Sequence, residues 1–331
     1  MKTGLDHQQQ VADVQVMPVA PASSAPVPVL ILMGVYNGAR HLAEQLESLA
    51  AQDHVNWRLL CSDDGSSDGS QQIIRSFAGQ NRHPLELRQG PGQGFSRNFM
   101  QMIRNLEESP EYISFSDQDD IWLPHKLSRA LTALSKVPAT VPALYASRQW
   151  VWESDTQRKR LSARLQRPAG FRNALVENIA TGNTIVLNPA AAGLVREAAR
   201  LTGDVFAHDW WLYLLISGVG GRILFDEEPG LLYRQHGANV IGEGAGIRAQ
   251  LRRKYAVMQG AFAQRVGGNL QAMQAVAPLL TPDTRSTLER FTAARQSHLP
   301  CRLWRFYQSG VYRQSRASRF GFWGGAALGR V

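Results

Sequence analysis

Tyr112-Ile113-Ser114-Phe115-Ser116-Asp117-Gln118-Asp119-Asp120-Ile121-Trp122 passes abruptly from β-forming residues to acids. Such a run reads as a buried strand emptying into a loop. Asp117, Asp119 and Asp120 put three carboxylates within four positions, so a positive partner is expected among them. Carboxylate oxygens are hard ligands, and one or two of them plus substrate phosphates are the usual way Mg²⁺ or Mn²⁺ is held. Asp117 and Asp119 lie two apart, which aims both at one face of an extended chain, whereas a turn separates them. The alternative at this point is a solvated acidic turn capping a helix that begins near Pro124.

The flanking sequence repeats the pattern. Val29-Leu30-Ile31-Leu32-Met33-Gly34-Val35 is an apolar strand that runs into the tight turn Tyr36-Asn37-Gly38. Leu42, Leu46 and Leu49 then fall at helical spacing with Glu44 and Glu47 outside. Trp57-Arg58-Leu59-Leu60-Cys61 is a second strand, ended by Ser62-Asp63-Asp64-Gly65-Ser66-Ser67-Asp68-Gly69-Ser70 and followed by a helix over 71–78. Leu85-Glu86-Leu87-Arg88 is a short third strand, and Phe95-Ser96-Arg97-Asn98 opens a helix that reaches Leu106. Alternation of this kind predicts an open, mostly parallel α/β sheet. Ligands of such sheets bind beyond the carboxyl ends of the strands, where these polar loops lie. Gly90-Pro91-Gly92-Gln93-Gly94 has the wrong spacing and place for a dinucleotide fingerprint, and no P-loop sequence occurs. Taken alone, Asp63 to Ser70 also reads as a helix cap with a turn.

Composition narrows the class. The chain of 331 residues, 44% hydrophobic and 19% charged, is that of a folded globular protein. Two cysteines, Cys61 and Cys301, exclude a disulfide scaffold and suit a reducing compartment. No apolar run approaches a membrane span. Residues 1–28 lack periodicity and the basic, apolar layout of a signal peptide, which predicts a disordered leader on a cytoplasmic protein. A formal charge of +9 implies an anionic partner: nucleic acid, a phosphorylated substrate or an acidic membrane surface.

Val35-Tyr36-Asn37, the Ser62 to Ser70 run, Gly94-Phe95-Ser96-Arg97-Asn98 and Asp117-Gln118-Asp119 together resemble the inverting glycosyltransferases of family 2, over about residues 29–240. The resemblance implies a GT-A (Rossmann-like) domain at 29–242, leaving a helical basic extension at 243–331. It also implies a nucleoside-diphosphate sugar donor, dTDP- or UDP-linked, with Val35, Tyr36, Asn37, Asp63, Asp64, Arg97, Asn98, Asp117 and Gln118 at the nucleotide sugar. Asp117-Gln118-Asp119 stands as the family's D-x-D motif, touching ribose and, through the cation, the diphosphate.

In the second half, residues 153–167 read as a charged surface loop near the acceptor. Residues 178–188 hold a polar turn and a strand, and the family's corresponding segment faces the reacting sugars, which nominates Gly182, Asn183 and Thr184. His208-Asp209-Trp210-Trp211 opens an apolar helix. A carboxylate there is either a plain cap or a base kept charged by the amide dipoles at a lowered pKa. The family places its base just before an aromatic-rich helix, so Asp209 is the implied base, with His208 where a first acid is usual. Trp210 and Trp211 are the candidate rings for stacking on sugar. Tyr233-Arg234-Gln235-His236-Gly237 resembles the rhamnosyltransferase-like members, where a His or Arg returns to metal and diphosphate; His236, with Asp117 and Asp119, completes the implied metal set, and Arg234 is a further candidate.

Beyond Gly246 the chain looks helical and basic, with Arg248, Arg252, Arg253 and Lys254 clustered. From Leu299 onward there is no acid, while Arg302, Arg305, Arg313, Arg316 and Arg319 interleave with Trp304, Phe306, Tyr307, Tyr312, Phe320, Phe322 and Trp323. This mixture suits an anionic membrane interface, which would make the protein peripheral on the inner face; a packed helical subdomain with a solvated basic face is the alternative. No nucleic-acid motif is present. The resemblance implies transfer of a sugar, L-rhamnose from dTDP-L-rhamnose by the nearest type, to a saccharide or lipid-linked acceptor in surface polysaccharide or lipopolysaccharide synthesis. The rival classes are a nucleotidyltransferase, whose usual Gly-rich basic loop after the first strand is replaced here by Tyr36-Asn37-Gly38, and a non-catalytic glycan- or membrane-binding protein.

Overall fold

A computed structural model describes residues 26–108, 111–235 and 260–331. Most of the expected leader, His236 and the Arg248–Lys254 cluster lie outside these described residues.

Strand β1 (Val29–Val35) is buried at every residue but Gly34, which is half-buried. Leu30 and Leu32 enter one hydrophobic core, while Val29, Ile31, Met33 and Val35 enter a second on the other face of the sheet. A strand covered on both faces needs no polar alternation, which explains the continuous apolar run. Helix α1 (Leu42–Ala50), β2 (Trp57–Asp63), α2 (Ser70–Gln80), β3 (Leu85–Gln89), α3 (Phe95–Arg104) and β4 (Tyr112–Ser116) follow as the periodicity predicts. β2 continues through Ser62 and Asp63, beyond its apolar stretch, because both still pair with Gly34 and Val35 of β1.

The chain goes on through β5 (Ile121–Trp122), α4 (Lys126–Leu134), β6 (Ala143–Ser147), β7 (Trp150–Glu153) and β8 (Arg158–Leu161). The short helix α5 (Phe171–Ala174) and a 3₁₀ turn (Gly182–Thr184) precede β9 (Val186–Leu187). Then come α6 (Pro189–Leu201), α7 (His208–Gly218), β10 (Arg222–Asp226) and β11 (Leu231–Gln235). Among the described residues the main sheet has seven strands in the order β10-β6-β9-β4-β1-β2-β3, and a second sheet has four in the order β5-β11-β7-β8. β1 pairs in parallel with both β2 and β4. The chain leaves β1 towards β2 and β3, then returns to its other side as β4. The resulting switch point lies between the Tyr36 turn and the acidic loop, where open α/β sheets bind ligands.

Three features depart from the sequence reading. β9 runs antiparallel between β4 and β6, so the Gly182–Thr184 turn that precedes it arrives at the carboxyl end of β4. Residues 153–167 are not simply a loop: Trp150–Glu153 and Arg158–Leu161 form a hairpin whose turn places Gln157 at φ 57. Its second strand, Arg158-Lys159-Arg160-Leu161, is too charged for a β signature and is held by its partner, not by propensity. Lastly, β11 pairs with both β5 and β7, so it climbs beside the acidic loop.

The C-terminal helices α8 (Ala261–Ala275), α9 (Pro282–Arg295), α10 (Cys301–Ser309) and α11 (Arg316–Ala327) pack onto the sheet domain. Val266, Leu270, Met273, Leu288, Phe291, Phe306 and Phe322 join the same core as Leu212 and Leu215 of α7. Thr281 N and Thr284 Oγ1 both donate to Gly218 O, which ties α9 to the end of α7.

Candidate active site

The turn after β1 is sewn to the loop after β2. Asn37 N donates to Ser66 Oγ, Gly38 N to Ser70 Oγ and Ala39 N to Asp68 Oδ2, each at 2.9 Å. Asn37 adopts φ 47, a left-handed geometry that Asn tolerates, and accepts from Ser67 N at 2.9 Å. This leaves the Tyr36 ring projecting, 58% exposed, at the mouth of the crevice. Asp63 and Asp64 are buried at the end of β2. Asp64 accepts from Gly92 N at 2.7 Å and Gly94 N at 2.6 Å, and so shapes the loop after β3. Asp63 accepts from Ser66 N at 3.2 Å and from Gln71 Nε2.

Asn98 and Arg97, adjacent in sequence, part company in space. Asn98 is buried and donates to Ser62 O at 2.9 Å, bracing the β2 loop from below. Arg97 is exposed and forms a two-point ion pair with Asp204, with Nε to Oδ1 at 2.9 Å.

The acidic loop faces this wall. Gln118 clips it to β1, accepting from Tyr36 N at 2.8 Å and donating to Tyr36 O at 2.9 Å. The clip requires Gly38, because a Cβ there would collide with the Gln118 carboxamide. Burial, with the charges of Asp119 and Asp209 added, pushes Asp117 up to about 7. Carboxylates placed against one another in this way favour a cation. Among the described residues no three His, Cys, Asp or Glu side chains converge as a closed metal cluster. Asp117 and Asp119 instead fit the open mode, in which one or two carboxylates leave the remaining positions to phosphate oxygens and water.

Asp120 is the residue whose role the sequence did not disclose. It is fully buried, accepts from Asn183 Nδ2 at 2.6 Å and from Arg234 N at 3.2 Å, and burial holds its carboxyl well above the usual range. It thus ties together the acidic loop, the Gly182–Thr184 turn and β11. Lys126 lies behind it, fully buried, with Nζ 3.3 Å from the Trp122 ring centroid and donating to Ser114 Oγ at 3.1 Å. Burial drives its pKa well down, against the opposing pull of Asp120. Arg234 is a strut: its guanidinium donates to Asp119 O at 2.9 Å, pairs with Glu44 and lies over the Trp152 ring at 4.4 Å. His236 follows directly after β11, outside the described residues.

Asp209 joins the site through the Gly182 turn. It stands in the first turn of α7, a helix buried nearly all round and therefore fixed in direction. The helix cap position belongs to Ala207, so Asp209 is not the plain N-cap. Asp209 Oδ1 accepts from Trp210 N at 2.6 Å and Oδ2 from Gly182 N at 3.2 Å. The expected lowering of its pKa is overturned: burial outweighs these amides and the Asn178 side chain and lifts it to about 6. Its neighbour His208 is buried, stacks on Phe99 at 4.0 Å, and is pushed down to about 3, which keeps it neutral. Gly182 permits this packing, since a Cβ there would come within 2.9 Å of His208 Nε2.

Trp210 and Trp211 do not offer stacking faces. Trp211 is wholly buried, and Trp210 is buried with Nε1 donating to Ala174 O at 2.6 Å. The apolar character that nominated them as sugar platforms belongs to the core. Of the proposed acceptor turn, Gly182 touches Asp209, Asn183 is turned inward to Asp120, and Thr184 Oγ1 donates to Thr181 O at 2.8 Å.

A family model described as Glycosyl transferase family 2 matches residues 30–200, more than half of the chain. The dTDP-rhamnosyl transferase RfbG of Shigella flexneri is 29% identical over 235 residues, covering 67% of this chain and 77% of that protein. The putative glycosyltransferase EpsE of Bacillus subtilis (strain 168) is 32% identical over 109 residues, covering 33% of this chain and 38% of that protein. Among solved structures, S. aureus TarS 1-349 in complex with UDP-GlcNAc superposes with a TM-score of 0.53 at 13% identity, covering 86% of this chain and 93% of that one. At that identity the likeness concerns the fold.

Proposed function

The chain belongs to glycosyl transferase family 2 and is a glycosyltransferase of GT-A fold; from that premise we propose an inverting, metal-dependent transfer of L-rhamnose from dTDP-L-rhamnose to a saccharide or lipid-linked acceptor in surface polysaccharide synthesis. The donor is proposed on the similarity to the Shigella rhamnosyl transferase. The observation that carries the mechanism is the Gly182–Asn183 turn, which donates to Asp209 from Gly182 N at 3.2 Å and to Asp120 of the acidic loop from Asn183 Nδ2 at 2.6 Å, so that one turn holds Asp209 and the acidic loop at one site. A base held beside a diphosphate-binding edge suits a single displacement at the anomeric carbon.

In this reading the exposed Tyr36 ring and the loops braced by Asp63, Asp64, Asn98 and Gln118 receive the nucleotide. Asp117 and Asp119 would hold the divalent cation, which when bound supplies positive charge against the departing diphosphate. The acceptor hydroxyl lies against Asp209, beside the Gly182 turn. Asp209 takes its proton as the oxygen bonds to the anomeric carbon, and the bond from that carbon to the diphosphate breaks on the opposite face. A carboxylate with a pKa near 6 is ionised at neutral pH yet more basic than an ordinary aspartate, which suits the role. Arg97 reaches the nucleotide in this scheme only by giving up Asp204.

The test is a panel of sugar nucleotides, with and without candidate acceptors. Release of nucleoside diphosphate, greatest with dTDP-L-rhamnose and abolished by EDTA, with an inverted anomer by NMR, is the expected result. Pyrophosphate-dependent release of NTP and sugar 1-phosphate from the same sugar nucleotides would mark a nucleotidyltransferase instead, and retention of configuration would remove Asp209 from the role of base.

A further inference from the structure

We propose that α10 and α11 form a docking surface for an anionic lipid bilayer. Their inward faces are accounted for: Phe306 packs against Phe291 and Phe322 at 5.2 and 5.5 Å between ring centroids. Their outward faces carry the large rings that the core does not take. Trp304 is 60% exposed, Tyr307 70% and Phe320 78%, and Trp304 stacks on Tyr307 at 5.9 Å. Leu299 and Leu328 are exposed as well. Arg305, Arg316, Arg319 and Arg330 stand exposed in the same segment, which has no acidic residue from Leu299 to the end.

Exposed Trp and Tyr beside arginine, on helices too polar to cross a membrane, match the headgroup layer of a bilayer. The indole and phenol sit at the acyl boundary while the guanidinium groups meet lipid phosphates. No helix among the described residues is long and apolar enough to span a membrane. The acid-free charge selects an anionic surface over a second copy of this chain, which would present the same positive charge.

The surface is joined to the catalytic side. The link between α10 and α11 is clamped to residues 166–177: Gln314 Oε1 accepts from Gln166 N and Arg167 N at 3.0 Å, and Gln314 N donates to Glu177 Oε2 at 2.6 Å. Asn173 Nδ2 donates to Tyr312 O at 3.0 Å. The next residue after Glu177 is Asn178, whose side chain is near enough to Asp209 to lower its carboxyl pKa. Docking through α10 and α11 would therefore hold the base at a fixed place relative to the bilayer, as a lipid-linked acceptor requires. That orientation rests on the glycosyltransferase reading, whereas vesicle binding does not.

The experiment is co-sedimentation of the full chain with vesicles of phosphatidylcholine, with and without phosphatidylglycerol. Wild type should bind the anionic vesicles and release in high salt. Arg316→Gln/Arg319→Gln should weaken partitioning by about 30-fold, at roughly fivefold per arginine. Trp304→Ser/Tyr307→Ser/Phe320→Ser should abolish binding with an unchanged circular dichroism melt, since these side chains lie outside the core. Equal binding to neutral vesicles, no binding by wild type, or wild-type binding by the triple variant would each overturn the proposal. So would a wild-type dimer in sedimentation velocity, without vesicles, that the triple variant loses. Failure here leaves the sugar-nucleotide assay unaffected, and the reverse also holds.

Discussion

Replacing Asp209 by Asn separates charge from shape at the proposed base. Burial lifts this carboxyl from 3.8 to about 6 in the folded protein. The folded pKa lies above the unfolded one, so the charged carboxylate costs stability at high pH. At about 1.4 kcal/mol per pKa unit the cost is about 3 kcal/mol. It is fully present above pH 6, shrinks as pH falls from 6 towards 3.8, and is gone below that. Asn removes the titration but turns an NH₂ group towards one of the two amides that the carboxylate now accepts from, Trp210 N or Gly182 N. Losing that bond costs about 1 kcal/mol at any pH. Asp209→Asn should therefore be more stable than wild type by about 2 kcal/mol at pH 8 and less stable by about 0.5 kcal/mol at pH 4, where about 0.5 kcal/mol of the cost persists. Urea titrations in EDTA at both pH values measure this crossing. The same variant should lose about 10²–10⁴-fold in kcat, while calorimetry shows nucleoside diphosphate binding within about twofold of wild type because no nucleotide contact is touched. Wild-type kcat/KM should fall tenfold per pH unit below pH 6. Near wild-type turnover by the variant, or a variant less stable than wild type at every pH, would refute the assignment.

Other outcomes follow from the acidic loop. Asp119→Ala should abolish turnover and shift the thermal midpoint by only a few degrees, checked by coupled nucleotide-release assay and melting curve; full activity in excess EDTA would contradict the metal role. Gly38→Ala should expel Gln118 from its two bonds to Tyr36, raising the nucleotide Kd with little change in kcat. Asp120→Ala strips acceptors from Asn183 and Arg234, at about 1–3 kcal/mol for each buried donor, so its urea midpoint should fall far more than that of Asp119→Ala.

Much of this protein is determined within short windows of sequence. The apolar run 29–35 could only be a strand covered on both faces, and Leu42, Leu46 and Leu49 could only line one side of a helix. The polar stretches at Tyr36, Asp63 and Asp117 had to fall at the strand ends, because buried strands cannot carry them elsewhere. That much places the crevice and names most of its lining. What tertiary structure alone decided involves partners far apart in the chain. The antiparallel entry of β9 brings Gly182 to Asp209 and Asn183 to Asp120. β11 brings Arg234 to Asp119 and Asp120. The pairing of β7 with β8 makes a strand of Arg158-Lys159-Arg160. Trp210 and Trp211 read as sugar platforms until the core closed over them. Asp209 shows the difference most sharply. Its place at a helix start is local and predicts a lowered pKa, but desolvation sums over every group that excludes water, wherever in the chain that group lies. Periodicity reports which face of an element is apolar; it carries no information about how completely another element covers it.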